Sequence, residues 1–323
     1  MRGRRSARRG RRLWAMEFRP FTVELRARFR GLTSRSGVLI SDGHGHWGEF
    51  SPFPDYDAER TNRWWRSAME AARGEWPAPV RTDVAVNSIV PAVDPDAARA
   101  YATAGGARTA KVKVGGGAAL RDDIAGVEAV ADALGAGGAI RVDVNGGWDL
   151  DEAARALPLL DRAARTGGAD GLQYAEQPCA SVDDLAALRR RVEVRIAADE
   201  AIRVPGSADA VLAAGAADVI ILKAQPLGGV RRALEIAERC AHLPLVVSSA
   251  MESSVGLAAG VALACALPVE PLACGLGTGG NSWHRSRRSA SRTTCCVPAR
   301  VRAPWLTRSR RRAGTTPRSE PRA

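Results

Sequence analysis

Asp143, Glu176 and Asp199 each close a short apolar run, and Lys113 and Lys223 close the runs before and after them. The gaps along this series are 30, 33, 23 and 24 residues, about one strand–helix unit each. In a parallel barrel the strand ends share one rim, so residues this far apart in sequence meet at one mouth. Three carboxylates brought together with nothing between them repel, and a bound divalent cation removes that penalty. All-oxygen ligands favour Mg²⁺, with Mn²⁺ as the alternative, over zinc. Such a cation stabilises the charge that develops when an α-proton leaves a carboxylic acid, and a lysine on either side supplies proton chemistry. Lys111 and Lys113 stand at i and i+2, on one side of a strand. Positive neighbours lower a lysine from about 10 towards 7–8, where it serves as a base. Asn145 shares the face of Asp143 and is placed to orient a ligand or hold a water, while Glu200 reads as a solvated neighbour or supporting contact. A single acid at a strand end is more often a helix cap; the ordered set of five argues for a site.

The elements that position these residues follow a repeated strand-then-helix rhythm from residue 83. Strands are expected at 84–90, 110–114, 140–145, 172–178, 195–200, 218–224, 245–250 and 272–277, with Ala- and Leu-rich helical stretches between them. Eight such units predict a modified (β/α) TIM-type barrel over 83–280, its strands apolar on both faces. Residues 16–82 read as an α+β capping domain: strands at 23–29 and 37–50 precede a helix around 57–74. About 65 residues are few for an independent fold, so this unit is expected to dock on the barrel.

The formal charge of +12 sits at the ends. Residues 1–15 hold seven Arg and no acid, residues 281–323 twelve Arg and one acid, and the body between carries 28 basic and 34 acidic residues, a net −6. A specific nucleic-acid function is therefore not expected. Residues 1–15 read as a disordered basic extension, with the start at either Met1 or Met16. Residues 281–323, rich in Arg, Ser, Thr and Pro, read as a disordered tail of the kind a shifted reading frame gives. No run of 18 apolar residues predicts a membrane span, and Glu17 and Arg19 break any signal-like segment. Six cysteines without zinc spacing read as thiols of a cytoplasmic protein. Oligomeric state is left open.

The ordered motifs AKVKV, RVDVNGGWD, YAEQP, IAADE and ILKAQPLGG resemble the enolase superfamily in its muconate-lactonizing branch. FRGLTSRSG, WGEFSPFPDYD, VVSSAMESSVGLAAG and ACGLGTG narrow the resemblance to the o-succinylbenzoate synthases of the actinobacterial type, over about residues 16–280. The resemblance implies a cap over a modified barrel with Mg²⁺ at the mouth, held by Asp143, Glu176 and Asp199. It makes Lys113 the acid/base, Lys111 its companion towards the substrate, and Lys223 the group that steadies the anionic intermediate by charge and cation–π contact. The implied reaction is a syn dehydration of 2-succinyl-6-hydroxy-2,4-cyclohexadiene-1-carboxylate, a small-molecule carboxylate, to o-succinylbenzoate in menaquinone biosynthesis. It places Gly275 and Ser248 or Ser249 at a substrate-facing loop, with strand-end packing an equal reading for the serines. Arg30 is a cap-loop residue able to reach a carboxylate, or simply an exposed arginine. The tail departs from the family pattern.

GLGTGG at 275–280 satisfies a dinucleotide-binding spacing but does not open a helix in a βαβ unit, so that reading is set aside. The glycines at 115–117 read as a turn, His44 and His46 as hairpin residues, Trp64 and Trp65 as core. Competing functions are an N-acylamino acid racemase, dipeptide epimerase or cycloisomerase on the same scaffold, a nucleic-acid binder acting through the Arg-rich ends, and the inactive product of an altered gene.

Overall fold

The computed structural model describes residues 16–29, 31–117, 119–204, 206–280 and 300–302. The chain begins with an antiparallel sheet of order β1-β2-β3: β1 (Glu17–Phe29), β2 (Leu32–Ser41) and β3 (Trp47–Phe50). The β1–β2 ladder runs from Glu17 opposite Ser41 to Phe29 opposite Leu32, so the first strand starts six residues earlier than its apolar pattern suggested. Helix α1 (Ala58–Ala72) starts at Asp57, whose carboxylate accepts from Arg60 N–H at 2.8 Å. It lies so close on β3 that a Cβ at Gly48 would collide with the carbonyl of Ala68. Trp64 is fully buried against Phe53 and Ala250, while Trp65 is exposed, against the expectation of core for both.

The remainder alternates strand and helix: β4 (Asp83–Ala85), β5 (Ser88–Val90), α2 (Pro95–Thr103), β6 (Thr109–Lys113), α3 (Leu120–Leu134), β7 (Ala139–Asp143), α4 (Leu150–Thr166), β8 (Leu172–Glu176), α5 (Val182–Arg189), β9 (Ile196–Ala198), α6 (Ser207–Ala213), β10 (Val219–Leu222), α7 (Ala224–Leu227), α8 (Val230–Arg239), β11 (Leu245–Val247) and α9 (Ser254–Ala266). Strands β5 to β11 form one parallel sheet in sequence order. The stretch expected as the eighth strand closes the ring without becoming a regular strand. Leu272 and Gly275 donate to Leu245 and Val247 on one side, and Cys274 pairs with Ala85 and Asn87 on the other.

Two further expectations differ from the structure. The strand expected at 84–90 is split into β4 and β5 around Asn87, whose side chain is drawn inward by bonds to Ser88 O and from Arg141. And the tail is not wholly without regular structure: β12 (Arg300–Arg302) pairs antiparallel with β4, an edge whose backbone groups offer a partner to any extended segment. The remaining residues of 281–323, and 1–15, lie outside the described residues.

Side-chain parity along the barrel strands decides what faces inward. Ile220 and Leu222 of β10 join the large cluster between sheet and helices, while Val219 and Ile221 join a small inner cluster with Tyr174, Ala197 and Val246. Ala110 and Val112, Ile140 and Val142, Ala175, and Ile196 and Ala198 likewise face the helices. By the same alternation Lys111 and Lys113, Asp143, Glu176, Asp199 and Lys223 all point to the barrel axis at the end where the strands finish.

Candidate active site

Lys113, Asp143 and Glu176 end β6, β7 and β8, and Asp199 and Lys223 come one residue after β9 and β10. The five belong to five hydrogen-bonded neighbours in the sheet, and the register sets Lys113 beside Asp143 and Asp143 beside Glu176. Lys113 Nζ donates to Asp143 Oδ2 and to Asn145 Oδ1, both at 2.6 Å. Lys111 Nζ bridges Asp143 Oδ2 at 2.7 Å and Glu176 Oε1 at 2.8 Å. At the far end of the row Lys223 Nζ donates to Asp199 Oδ2 at 2.7 Å. The three acids and Lys111 are buried, whereas the Lys113 side chain keeps 26% of its surface, the most open of the three ammonium groups.

The charges respond to this crowding. Burial alone would raise Asp143, but Lys111 and Lys113 hold it well below the usual carboxylate range. Burial would likewise raise Asp199, and Arg203 and Lys223 pull it far down. Burial opposes the charged form of Lys111, yet Asp143 and Glu176 keep it well above an ordinary lysine. Glu176 is the exception: burial and then repulsion from Asp143 outweigh its shared partner Lys111, and it is pushed up to about 7. That carboxylate is short of positive charge.

A hard divalent cation fits this donor set, which is three buried carboxylates with no imidazole or thiolate among the groups bonded to them. As they stand the acids are each engaged by lysine or arginine, and among the described residues no group of three His, Cys, Asp or Glu side chains is drawn together as a ready cage. Glu176, which among the described residues is bonded only by a lysine it shares, is the carboxylate with most to gain from an added cation.

Supporting contacts place the expected neighbours. Asn145 adopts a left-handed φ of 54°, donates its N–H to Asp143 Oδ1 at 3.1 Å and approaches Glu200 Oε1 at 3.4 Å. Ser248 is buried and bridges to Gly275, where a Cβ would lie 2.5 Å from Ser248 Oγ, so only glycine lets the two segments meet. Ser249 Oγ and Thr278 Oγ1 are 2.9 Å apart. Arg30 lies outside the described residues. His44 and His46 sit in the β2–β3 connection, where His46 lies against Gly74 just past α1.

Two residues at the site were not singled out from the sequence. Arg203 forks onto both oxygens of Asp199 and also reaches Glu200 at 3.3 Å. Its spacing of four after Asp199 was the available signal. Gln177, at φ 40°, accepts from the N–H of Asp199 at 3.0 Å and of Ala201 at 3.1 Å and donates to Cys179 O at 2.9 Å, which pins the β9 end. Nothing in its type or spacing marked it.

A capped parallel barrel thus gathers acids from three consecutive strand ends with a lysine on either side, the types of group that acid/base chemistry uses. Residues 94–286 match the enolase C-terminal domain-like family and residues 14–72 the enolase N-terminal domain-like family. The chain is 56% identical over 264 residues to an o-succinylbenzoate synthase of Thermobifida fusca, covering 81% of this chain and 80% of that one. It is 49% identical over 261 residues to an o-succinylbenzoate synthase of Mycolicibacterium smegmatis, covering 80% and 78%. Its fold is similar to that of a dipeptide epimerase of Enterococcus faecalis solved with Mg and the dipeptide L-Leu-L-Tyr, with a TM-score of 0.71 at 18% identity over 89% of this chain and 96% of that one. The chain belongs to the enolase superfamily and, within it, to the o-succinylbenzoate synthase family.

Proposed function

We propose that this chain is a lyase that dehydrates 2-succinyl-6-hydroxy-2,4-cyclohexadiene-1-carboxylate to o-succinylbenzoate, and that it serves menaquinone biosynthesis. The observation that carries this reading is the row of three acids bracketed by Lys113 and Lys223 on one inner rim, together with the relatives' shared activity. Asp143, Glu176 and Asp199 would hold Mg²⁺ or Mn²⁺, and when bound the cation supplies positive charge to the substrate carboxylate as its α-proton leaves. Lys113, the most open of the amines, takes that proton in its neutral form and returns it to the departing hydroxyl. One C–H and one C–O bond break, water leaves, and the ring becomes aromatic. Lys111 ties Asp143 to Glu176 and so fixes the spacing of the carboxylates. Lys223, paired with Asp199 at 2.7 Å, steadies the anionic intermediate. Ser248, Ser249 and the backbone at Gly275 are assigned to the succinyl carboxylate, and Arg30 to a carboxylate from the cap side. The Arg-rich ends are assigned no specific nucleic-acid partner.

Turnover of the cyclohexadiene carboxylate, followed by product absorbance, tests this. The expected result is activity that requires Mg²⁺ or Mn²⁺, disappears with chelator and returns when the metal is restored. No turnover by a folded, metal-supplemented protein would overturn the assignment. Two amines on either side of one site also suit racemisation of N-succinyl amino acids, one base for each face. The same preparation assayed for that activity separates a dedicated synthase from a bifunctional enzyme.

A further inference from the structure

Two barrel helices with an incomplete N-terminal cap, α8 and α9, draw an acceptor from a distant part of the chain. Helix α8 follows Gly229, which has no side chain to accept a hydrogen bond. Helix α9 follows Ser253, whose Oγ accepts from Val255 N–H at 3.1 Å, but its third position is Gly256. A glutamate at that position would reach back to the N-cap amide, completing the reciprocal capping box. In both places the acceptor comes instead from the N-terminal cap. Glu70 of α1 accepts from Val230 N–H at 2.6 Å and Arg231 N–H at 3.0 Å. Glu49 of β3 is buried and accepts from Ser253 N–H with both oxygens, at 3.1 and 3.0 Å, and from Gly256 N–H at 3.0 Å. Ser51 Oγ adds a third donor at 2.7 Å. The glycines make this possible: a Cβ on Gly229 would collide with the Glu70 carboxylate, and one on Gly256 would lie 2.9 Å from Glu49 Oε2 and 2.5 Å from Glu252 Cβ.

The two contacts hold different things. Glu70 fixes the start of α8, beyond the single turn of α7. Glu49 fixes the start of α9, directly after the segment 248–253 that carries Ser248 and Ser249 at the mouth. Within that segment Met251 has a φ of 64°, a conformation uncommon for a residue with a side chain and kept only where surrounding contacts impose it. We propose that Glu49 is a positioning residue for the reaction: by supplying from the cap the acceptors that α9 lacks, it holds the 248–253 segment in place and makes substrate binding depend on a seated cap. The kinetic part of this inference rests on the function proposed above.

Glu49→Gln, Glu49→Ala and Glu70→Gln, made in the full chain, test it by amide hydrogen exchange and steady-state kinetics. In Glu49→Gln the Ser253 and Gly256 amides are expected to exchange about tenfold faster or more, with the change confined to 248–256. KM for the dehydration substrate should rise about tenfold while kcat moves less than about threefold, the pattern of lost binding rather than lost chemistry. Glu49→Ala should go further in the same direction, and if it fails to fold, Glu49→Gln decides alone. Glu70→Gln should expose the Val230 and Arg231 amides and leave KM within about twofold. Unchanged exchange at 248–256 in Glu49→Gln overturns the proposal, as does an unchanged KM, or an equal rise in KM for Glu70→Gln, which would mean general loosening of the cap. The exchange result stands whether or not the wild-type chain turns over this substrate, so failure of the proposed function is read separately.

Discussion

Two groups of buried carboxylates, at the rim and at the seam between cap and barrel, differ in what answers their charge. At the rim, Asp143, Glu176 and Asp199 face the side-chain cations of Lys111, Lys113, Lys223 and Arg203. At the seam between cap and barrel, Glu49 faces backbone N–H groups of α9. Glu252 beside it accepts from Ala250 N–H at 2.6 Å and from its own N–H, yet burial, with repulsion from Glu49, pushes it up to about 7. A side-chain cation changes partner by turning a few torsions, so an acid held that way can admit a metal or follow a proton. An amide cannot leave without unwinding a turn of helix. Rim acids are therefore suited to chemistry and seam acids to architecture.

Substitutions at the rim should separate catalysis from folding. Lys113→Ala is expected to lower kcat by about 10²–10⁴, the usual worth of a positioned acid/base. Its unfolding midpoint should stay near wild type, because the Lys113 side chain is partly solvated and Asp143 keeps Lys111. A loss below tenfold would place the base elsewhere. Lys223→Ala removes electrostatic support rather than the proton carrier, and about 10²-fold in kcat is expected. Asp199 keeps the Arg203 fork in that variant, so its carboxylate stays in place. Equal losses for the two lysines in the dehydration would argue that both transfer protons.

The rim was legible in the sequence because the strand period of two places it. Lys113, Asp143, Glu176, Asp199 and Lys223 each follow outward-facing apolar residues by one step, so one register carries all of them inward. Long-range pairings have no such period. Glu49 meets α9 across 204 residues, and in the sequence it is one acid in a cap strand. Val86 and Asn87 interrupt the first barrel strand because they pair with Cys274, a contact no local pattern announces. Arg203 falls between these cases: it is local to Asp199, but an arginine four residues beyond an acid is common on any surface.

The seam has its own signature in pH. Glu252 is raised from 4.5 to about 7 in the folded chain, so between those values the folded state keeps a proton that the unfolded chain gives up. Its contribution is fully present below about 4.5 and is lost as pH rises through about 7, so stability falls across that window. Glu176 is raised by the same kind of crowding and adds the same sign. The comparison with Glu252→Gln isolates the seam: the variant should match wild type near pH 4.5 and exceed it by on the order of 1–3 kcal/mol at pH 8. Denaturant unfolding of both proteins at the two pH values measures this. Identical pH slopes would show that Glu252 is already ionised in the folded protein.

The smallest effect is expected where neither set of carboxylates is involved. Strand β12 pairs with β4, which precedes Val86 and so lies at the end of the barrel where the strands begin, opposite the rim. Val301→Pro removes one donor from a three-residue ladder, a cost of about 1 kcal/mol for a lost backbone bond at an edge. The unfolding midpoint should fall by no more than about 4 °C, given the size of the chain, and kcat and KM should stay at wild-type values, since no rim or seam residue contacts β12 in its pairing. A change in KM would mean that strain at the base of the barrel reaches the mouth through β5 and the closing segment at Cys274. Rim and seam could then no longer be treated as independent of the frame that carries them.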